Sequence, residues 1–345
     1  MNNKILTTIK KYAFAFLIPI VIYLLVLIMI PERVGNIGAI KSILTLSVLP
    51  TITAYGVYFG FVSGMIDFSV GSRIVLSGMI ACIGGYYFGF IGMFVGALVS
   101  SLILAAIVGG VFRTLKIPSI IVSFGTLMVF EMIGRYFVRY MVIANPNLAS
   151  QTYFRMPDYL TFLGKAPYNY VFLIVVTILF EFLKNRTKLA NQANVVGSNE
   201  LIARSVGIEP MKVKFGTFLL GGIFIALAAI QSACYSSAVG SLTQMASSSM
   251  VFKPLMAVII GLALAGNIRT SIGIFIGSLS ISIIFTGIIA LGWSDAVQNV
   301  ILGAFMLLVM GLPTIRQNIN DNKRRKNAKI EMDKIVQGAN YIKIK

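Results

Sequence analysis

Residues 184–214, KNRTKLANQANVVGSNELIARSVGIEPMKVK, form the one long polar stretch between two long apolar ones, with six lysines and arginines against two glutamates. Inside it Asn199 is placed to cap a helix, Glu200 falls in the first turn, and Leu201, Ile202 and Val206 recur near helical spacing before Gly207 ends the run. The pattern predicts one short helix with an apolar face. Two turns are too few to be stable alone in water, so this helix needs a surface to dock against. A solvated loop with a capped turn is the alternative.

Outward from that stretch the chain is apolar. Of 345 residues 57% are hydrophobic and 12% charged, and the mean hydropathy is +0.89; soluble domains carry about twice that share of charge. The composition predicts an all-α, polytopic membrane protein. The net charge of +18 does not point to nucleic acid, because the basic residues lie between and after apolar runs and not along an amphipathic face. Cys82 and Cys234 sit in apolar runs and imply neither a disulfide nor a metal site. With no histidine, Ser-His and Cys-His catalysis and His-ligated metals are excluded, and there is no GxxxxGK or GxGxxG to hold a nucleotide. No enzyme activity or cofactor is expected; any ATP belongs to another chain.

Uncharged runs occupy Tyr12 to Ile30, Ser42 to Ile66, Ile74 to Phe112, Ile117 to Phe130, Ala166 to Phe180, Phe215 to Phe252, Pro254 to Ile268, Thr270 to Ser294 and Ala296 to Ile315. A span needs about 20 residues, so the two longest runs must turn back. Gly84, Gly85 and Gly89 mark the first turn and the small polar patch Ser236 to Ser249 the second. With Lys253 falling within a span, so that the part of Phe215 to Phe252 after its turn runs on into Pro254 to Ile268, ten spans result, and a division into five and five is compatible with an inverted repeat. The expected domains are a membrane domain over 1–315, holding the 184–214 loop, and a basic tail over 316–345, centred on Lys323 to Lys326 and suited to anionic lipid.

Charge sets the orientation. With the N-terminus inside, 22 basic residues fall inside: three before the first span, Arg73, Arg113, Lys116, six in the central loop, Arg269 and nine in the tail. Five fall outside: Arg33, Lys41, Arg139, Arg155 and Lys165. The positive-inside rule then places both termini in the cytoplasm of a cell-membrane protein. The outward segment Arg139 to Tyr168 is the longest exposed loop on its side, a connector or a contact for an external partner.

Three groups of polar residues interrupt the spans. In Ser63 to Ser72, SGMIDFSVGS, Asp67, Ser69 and Ser72 can cap the following helix, at the translocation path or gate or at a plain interfacial turn. Glu131 and Arg135, four apart on one helix, are expected to pair with each other. Ser123, Thr126, Gln231, Ser232, Gln298 and Asn299 are uncharged groups that suit a neutral hydroxylated solute and equally suit contacts between helices.

The phrases GMIDFSVGSRIVLSG (Gly64 to Gly78), IPSIIVSFGTLMVF (Ile117 to Phe130) and VVGSNELIARSVGI (Val195 to Ile208), in that order, resemble the ribose-type branch of ABC transporter permeases, over residues 40–312. Two places depart from that family's pattern: Met65 stands where a second glycine is usual, and the turn Ile260 to Asn267 lacks hydroxyls. The resemblance implies a permease subunit that pairs with a second copy or paralogue and receives solute from an external binding protein. It also implies that a cytoplasmic ATPase docks on Asn199, Glu200, Leu201, Ile202, Arg204, Val206 and Gly207, Glu200 pairing with Arg204. A monosaccharide or related neutral solute is the implied cargo, with a nucleoside as the alternative within the family. An ion-coupled secondary transporter is the alternative from another class, resting only on Asp67 and the Glu131/Arg135 pair.

Overall fold

The computed structural model describes residues 2–149, 152–294, 296–298, 300–304 and 307, and the chain divides into two compact units, 1–293 and 294–345. The first unit is helical. Eight helical segments are long and apolar enough to cross a membrane: Lys10–Met29 of α1 (Asn2–Met29), α3 (Ile37–Val62), α4 (Val70–Leu115), α5 (Ser119–Ala144), α6 (Tyr168–Arg186), α9 (Pro210–Ser236), Ala246–Leu264, which is α10 (Ser249–Leu264) with the turn before it, and α11 (Thr270–Ala290). Short helices α2 (Pro31–Val34), α7 (Lys188–Ser198) and α8 (Glu200–Ser205) lie between them.

At 46 residues α4 is too long for one pass, and it folds back at Gly89, where φ is 62° and only glycine is unstrained. Its two limbs meet so closely at Gly84 and Gly92 that neither position has room for a Cβ. The expected glycine turn is therefore present. Counting α4 twice, nine of the ten expected passes lie among the described residues; the tenth run, Ala296 to Ile315, and the basic tail lie largely or wholly outside them.

Between apolar helices in lipid the driving force is close packing, which small residues permit. Gly56 of α3 and Gly221 of α9 face each other, a Cβ on either falling within 2.9 Å of the other's carbonyl oxygen. Beside them Tyr55 and Phe59 of α3, Phe180 of α6 and Phe224 of α9 form a buried aromatic cluster, with Tyr55 stacked on Phe180 at 4.3 Å. This core holds α3, α6 and α9 together.

Two segments differ from expectation. The stretch 145–167 is not a loose connector: strand β1 (Tyr153–Arg155) pairs antiparallel with β2 (Ala238–Gly240), and Leu148, Phe154 and Leu160 are buried in the main hydrophobic cluster. Likewise 236–249 is more than a polar turn. It runs through β2, then a 3₁₀ turn over Ala246–Ser248 whose Ser247 is fully buried, and enters α10. Helix α5 also continues to Ala144, past Phe130 where the uncharged run stops.

Candidate functional site

The 184–214 stretch folds as two helices, not one. Thr187 caps α7 by accepting from the Ala190 N–H at 3.3 Å. The fully buried positions of α7 are the small residues Ala190, Ala193 and Val196; the last two pack with Ala203 and Val213 into a separate small core, with Leu189 and Ile208 against it. This is the surface α8 docks on. Asn199 caps α8, its side-chain oxygen accepting from Leu201 N at 2.9 Å and Ile202 N at 3.2 Å.

The far end of α8 closes as a Schellman motif. Ile208 N donates to Ala203 O at 2.9 Å, and Gly207 N donates to Arg204 O at 3.0 Å, with Gly207 at φ 80°. Both ends of a six-residue helix are thus fixed, while its two large apolar residues and the C-cap valine after it remain uncovered: Leu201 is 77% exposed, Ile202 57% and Val206 64%. Glu200 does not pair with Arg204 as expected. It forms an ion pair with Lys214 at the start of α9, because Lys214 is half-sunk beside the Phe112 ring and offers a better-held partner than a residue on the exposed side.

Beneath this surface, α7 bears directly on the end of α3. Gly197 leaves no space for a Cβ against the Val62 carbonyl, so the α7 backbone sits on the turn that begins at Ser63. That turn is tied down throughout. Gly64 takes φ 81°, Ile66 N donates to Ser119 Oγ at 3.3 Å, and Phe68 stacks on Phe124 at 4.5 Å.

Asp67 does not cap α4 in the expected sense. Its Oδ1 accepts from Ser69 N at 2.9 Å and Ser69 Oγ at 2.6 Å, and its Oδ2 accepts from Arg73 Nη2 at 2.5 Å. The pair is buried, Arg73 being 2% exposed with Nε and Nη1 unpartnered. Arg73 was counted in the sequence only as a topology charge; its spacing from Asp67, six residues across a turn, was the available signal. Ser72 Oγ donates to Ser69 O at 2.8 Å, within the same turn.

At the very start of α4, Gly71 packs without a Cβ's clearance against Ser247 O. Here Glu131 of α5 enters, and it does not pair with Arg135. Its carboxylate accepts from Met245 N, Ser247 N and Ser247 Oγ at 2.9, 2.9 and 2.6 Å. Free N–H groups ahead of α10 are stronger partners for a buried carboxylate than an exposed arginine on its own helix. Asp67 and Glu131 are thereby both committed to fixed partners.

The remaining polar residues are not gathered with these. Ser123 Oγ donates to Ile120 O and Thr126 Oγ1 to Val122 O, each bonding its own helix. Gln231 is buried in α9 with Oε1 unpartnered, and Ser232 is half-buried beside it. Gln298 belongs to the second unit, and Asn299 lies outside the described residues.

Residues 39–310 match a family described as the permease component of the branched-chain amino acid transport system. Among curated relatives, the inner membrane ABC transporter permease protein YjfF of Escherichia coli is 26% identical over 81% of this chain and 86% of its own length. The ribose import permease protein RbsC of E. coli is 26% identical over 84% and 91%, and the D-allose transport system permease protein AlsC of E. coli 25% over 82% and 85%. No solved structure matches the chain. Helices long and apolar enough to cross a membrane and a family match over most of the length lead to one conclusion: the chain belongs to this family of ABC-transporter permease components, multi-pass membrane subunits that are not themselves enzymes.

Proposed function

We propose that the chain is the translocating subunit of an ATP-driven importer for a monosaccharide or closely related neutral solute, with an external binding protein delivering the solute. The observation that carries the reading is α8: a helix capped at both ends that leaves Leu201, Ile202 and Val206 in the open. Apolar anchors on a rigid helix suit a cleft in a partner, here a cytoplasmic ATPase. The pairing with a second permease chain and the placement of both termini inside follow from the family likeness and from the charge distribution. The sugar class rests on relatives named for ribose and allose.

An ion-coupled carrier is disfavoured by the same geometry, since Asp67 and Glu131 are each engaged by several donors and have no need of a coupling ion. Proteoliposomes holding this chain, a second permease copy and a cognate ATPase, supplied with binding protein and labelled ribose, allose or xylose, test the proposal. Uptake with ATP and no ion gradient is the expected result; uptake that requires a proton or sodium gradient overturns it.

A further inference from the structure

Helix α6 has 19 residues, about 28 Å of helix against a hydrocarbon layer of about 30 Å, so its last turn lies at one membrane surface. One side of it is bare: Val171, Val175, Ile178 and Phe182 recur at helical spacing and are all exposed. Arg186, one turn beyond Phe182, continues that stripe and is exposed too. Thr187 then caps α7, whose first residue, Lys188, is also exposed. Two cations thus flank the corner between α6 and α7 at the end of an apolar stripe, with Lys184 half-buried just before them.

None of these three basic side chains forms an ion pair or hydrogen bond among the described residues. The acids nearest in sequence are engaged elsewhere. Glu200 pairs with Lys214 and Glu209 with Lys212, while Glu181 accepts from Asn185 at 2.8 Å. From Glu181 to Lys188, three basic residues against one acid leave a net charge of +2. A second copy of the chain does not suit this side of α6: related by a two-fold axis along the membrane normal, it would set Arg186 against its own counterpart at the same depth. A phospholipid suits it. Acyl chains lie along the apolar stripe, and an anionic headgroup meets the cations at its end.

We propose that the corner between α6 and α7 is a binding site for an anionic phospholipid of the leaflet on the α8 side, its phosphate held by Arg186 and Lys188 with Lys184 in support. A guanidinium offers phosphate a planar fork of donors, and an ammonium adds a compact charge. A bound headgroup also bears on the coupling surface, a role that rests on the transport function proposed above. Helix α7 starts at this corner, its Ala193 and Val196 pack with Ala203 of α8, and its Gly197 lies against the Val62 carbonyl. The lipid therefore ties the base of the α8 platform to the membrane surface.

Native mass spectrometry of the full chain in detergent, titrated with phosphatidylglycerol or with phosphatidylcholine of the same acyl chains, tests the site. The wild type should retain phosphatidylglycerol in preference, and Arg186→Gln/Lys188→Gln should weaken that retention by about thirtyfold. Arg113→Gln/Lys116→Gln removes the same charge from exposed positions at the end of α4 and should bind as the wild type does. So should Arg186→Lys/Lys188→Arg, which keeps the charge at the corner. A loss under about threefold in the corner variant, or an equal loss in the α4 variant, overturns the proposal, the second because it shows only diffuse attraction to basic residues. Displacement of the lipid by inorganic phosphate overturns it as well, in favour of a free-phosphate site. These titrations need neither ATP nor solute. In vesicles of phosphatidylcholine alone the assembled importer should lose solute-stimulated ATP hydrolysis, and added phosphatidylglycerol should restore it for the wild type but not for the corner variant. Hydrolysis indifferent to phosphatidylglycerol overturns the link to α8; no hydrolysis in any lipid, with the lipid still retained at the corner, counts against the transport reading alone.

Discussion

Glu131 grips Ser247 twice, taking its backbone N–H at 2.9 Å and its hydroxyl at 2.6 Å, across 116 residues of chain. The segment it holds contains Gln244 and Met245 at φ 60° and 62°, a left-handed conformation that costs side-chain-bearing residues about 1–2 kcal/mol each. Charge-assisted bonds of the kind Glu131 makes contribute about 1.5–3 kcal/mol and offset that strain. Glu131→Ala should therefore cost about 3 kcal/mol in denaturant titration of the detergent-solubilised protein. A loss under about 1 kcal/mol would mean that β2 and the Gly71 contact hold the segment without the carboxylate.

Asp67 and Arg73 should behave as a unit. Asp67→Asn keeps an oxygen for Ser69 but turns an amide N–H₂ toward the Arg73 guanidinium, donor against donor, and leaves a buried cation uncompensated. Breaking a buried pair from one side costs about 3–5 kcal/mol, whereas replacing both partners by apolar residues of similar size is often near neutral. Asp67→Asn should insert in the membrane with uptake reduced, and Asp67→Leu/Arg73→Leu should recover most of the lost stability. Equal and additive losses in the two single variants and the double would show that the pair is not coupled.

What the sequence made legible follows from where its information is local. The spans are legible because burial in lipid demands about 20 apolar residues in a row. The Asn199 cap and the Gly207 terminus are legible because each is settled within a few residues. The partners of Glu131 and Glu200 depend instead on which segments the fold brings together. Spacing alone offered Arg135 and Arg204, and tertiary structure supplied Ser247 and Lys214. Helix α7 escaped notice because its buried face is made of two alanines and a valine in a sequence otherwise rich in Asn, Gln and Lys.

Orientation is open to a separate test. The basic residues divide 22 to five in favour of placing the α7–α8 surface in the cytoplasm. Ser198 is exposed at the end of α7, so Ser198→Cys should stay unmodified when intact cells meet an impermeant maleimide and react once the cells are permeabilised. Reaction in intact cells would invert the assignment and remove the ATPase from α8.

The coupling role of α8 makes the sharpest demand. Leu201 and Ile202 project from a helix whose own packing uses only Ala203, so changing them should leave the fold of the chain intact. Leu201→Asp or Ile202→Asp should nevertheless weaken ATPase association by about 2 kcal/mol or more, as buried anchors of an interface do. Glu200→Gln should be milder on association, since it loosens a half-exposed pair with Lys214 and touches no anchor. Gly207→Val separates packing from geometry. Nothing lies within 4 Å of a Cβ there, yet φ 80° strains a β-branched residue, so the end of α8 should shift while both anchors remain. Co-purification of the ATPase with each variant, alongside solute-stimulated ATP hydrolysis, reads all four. If Ile202→Asp retains both at wild-type level, the ATPase docks somewhere other than α8.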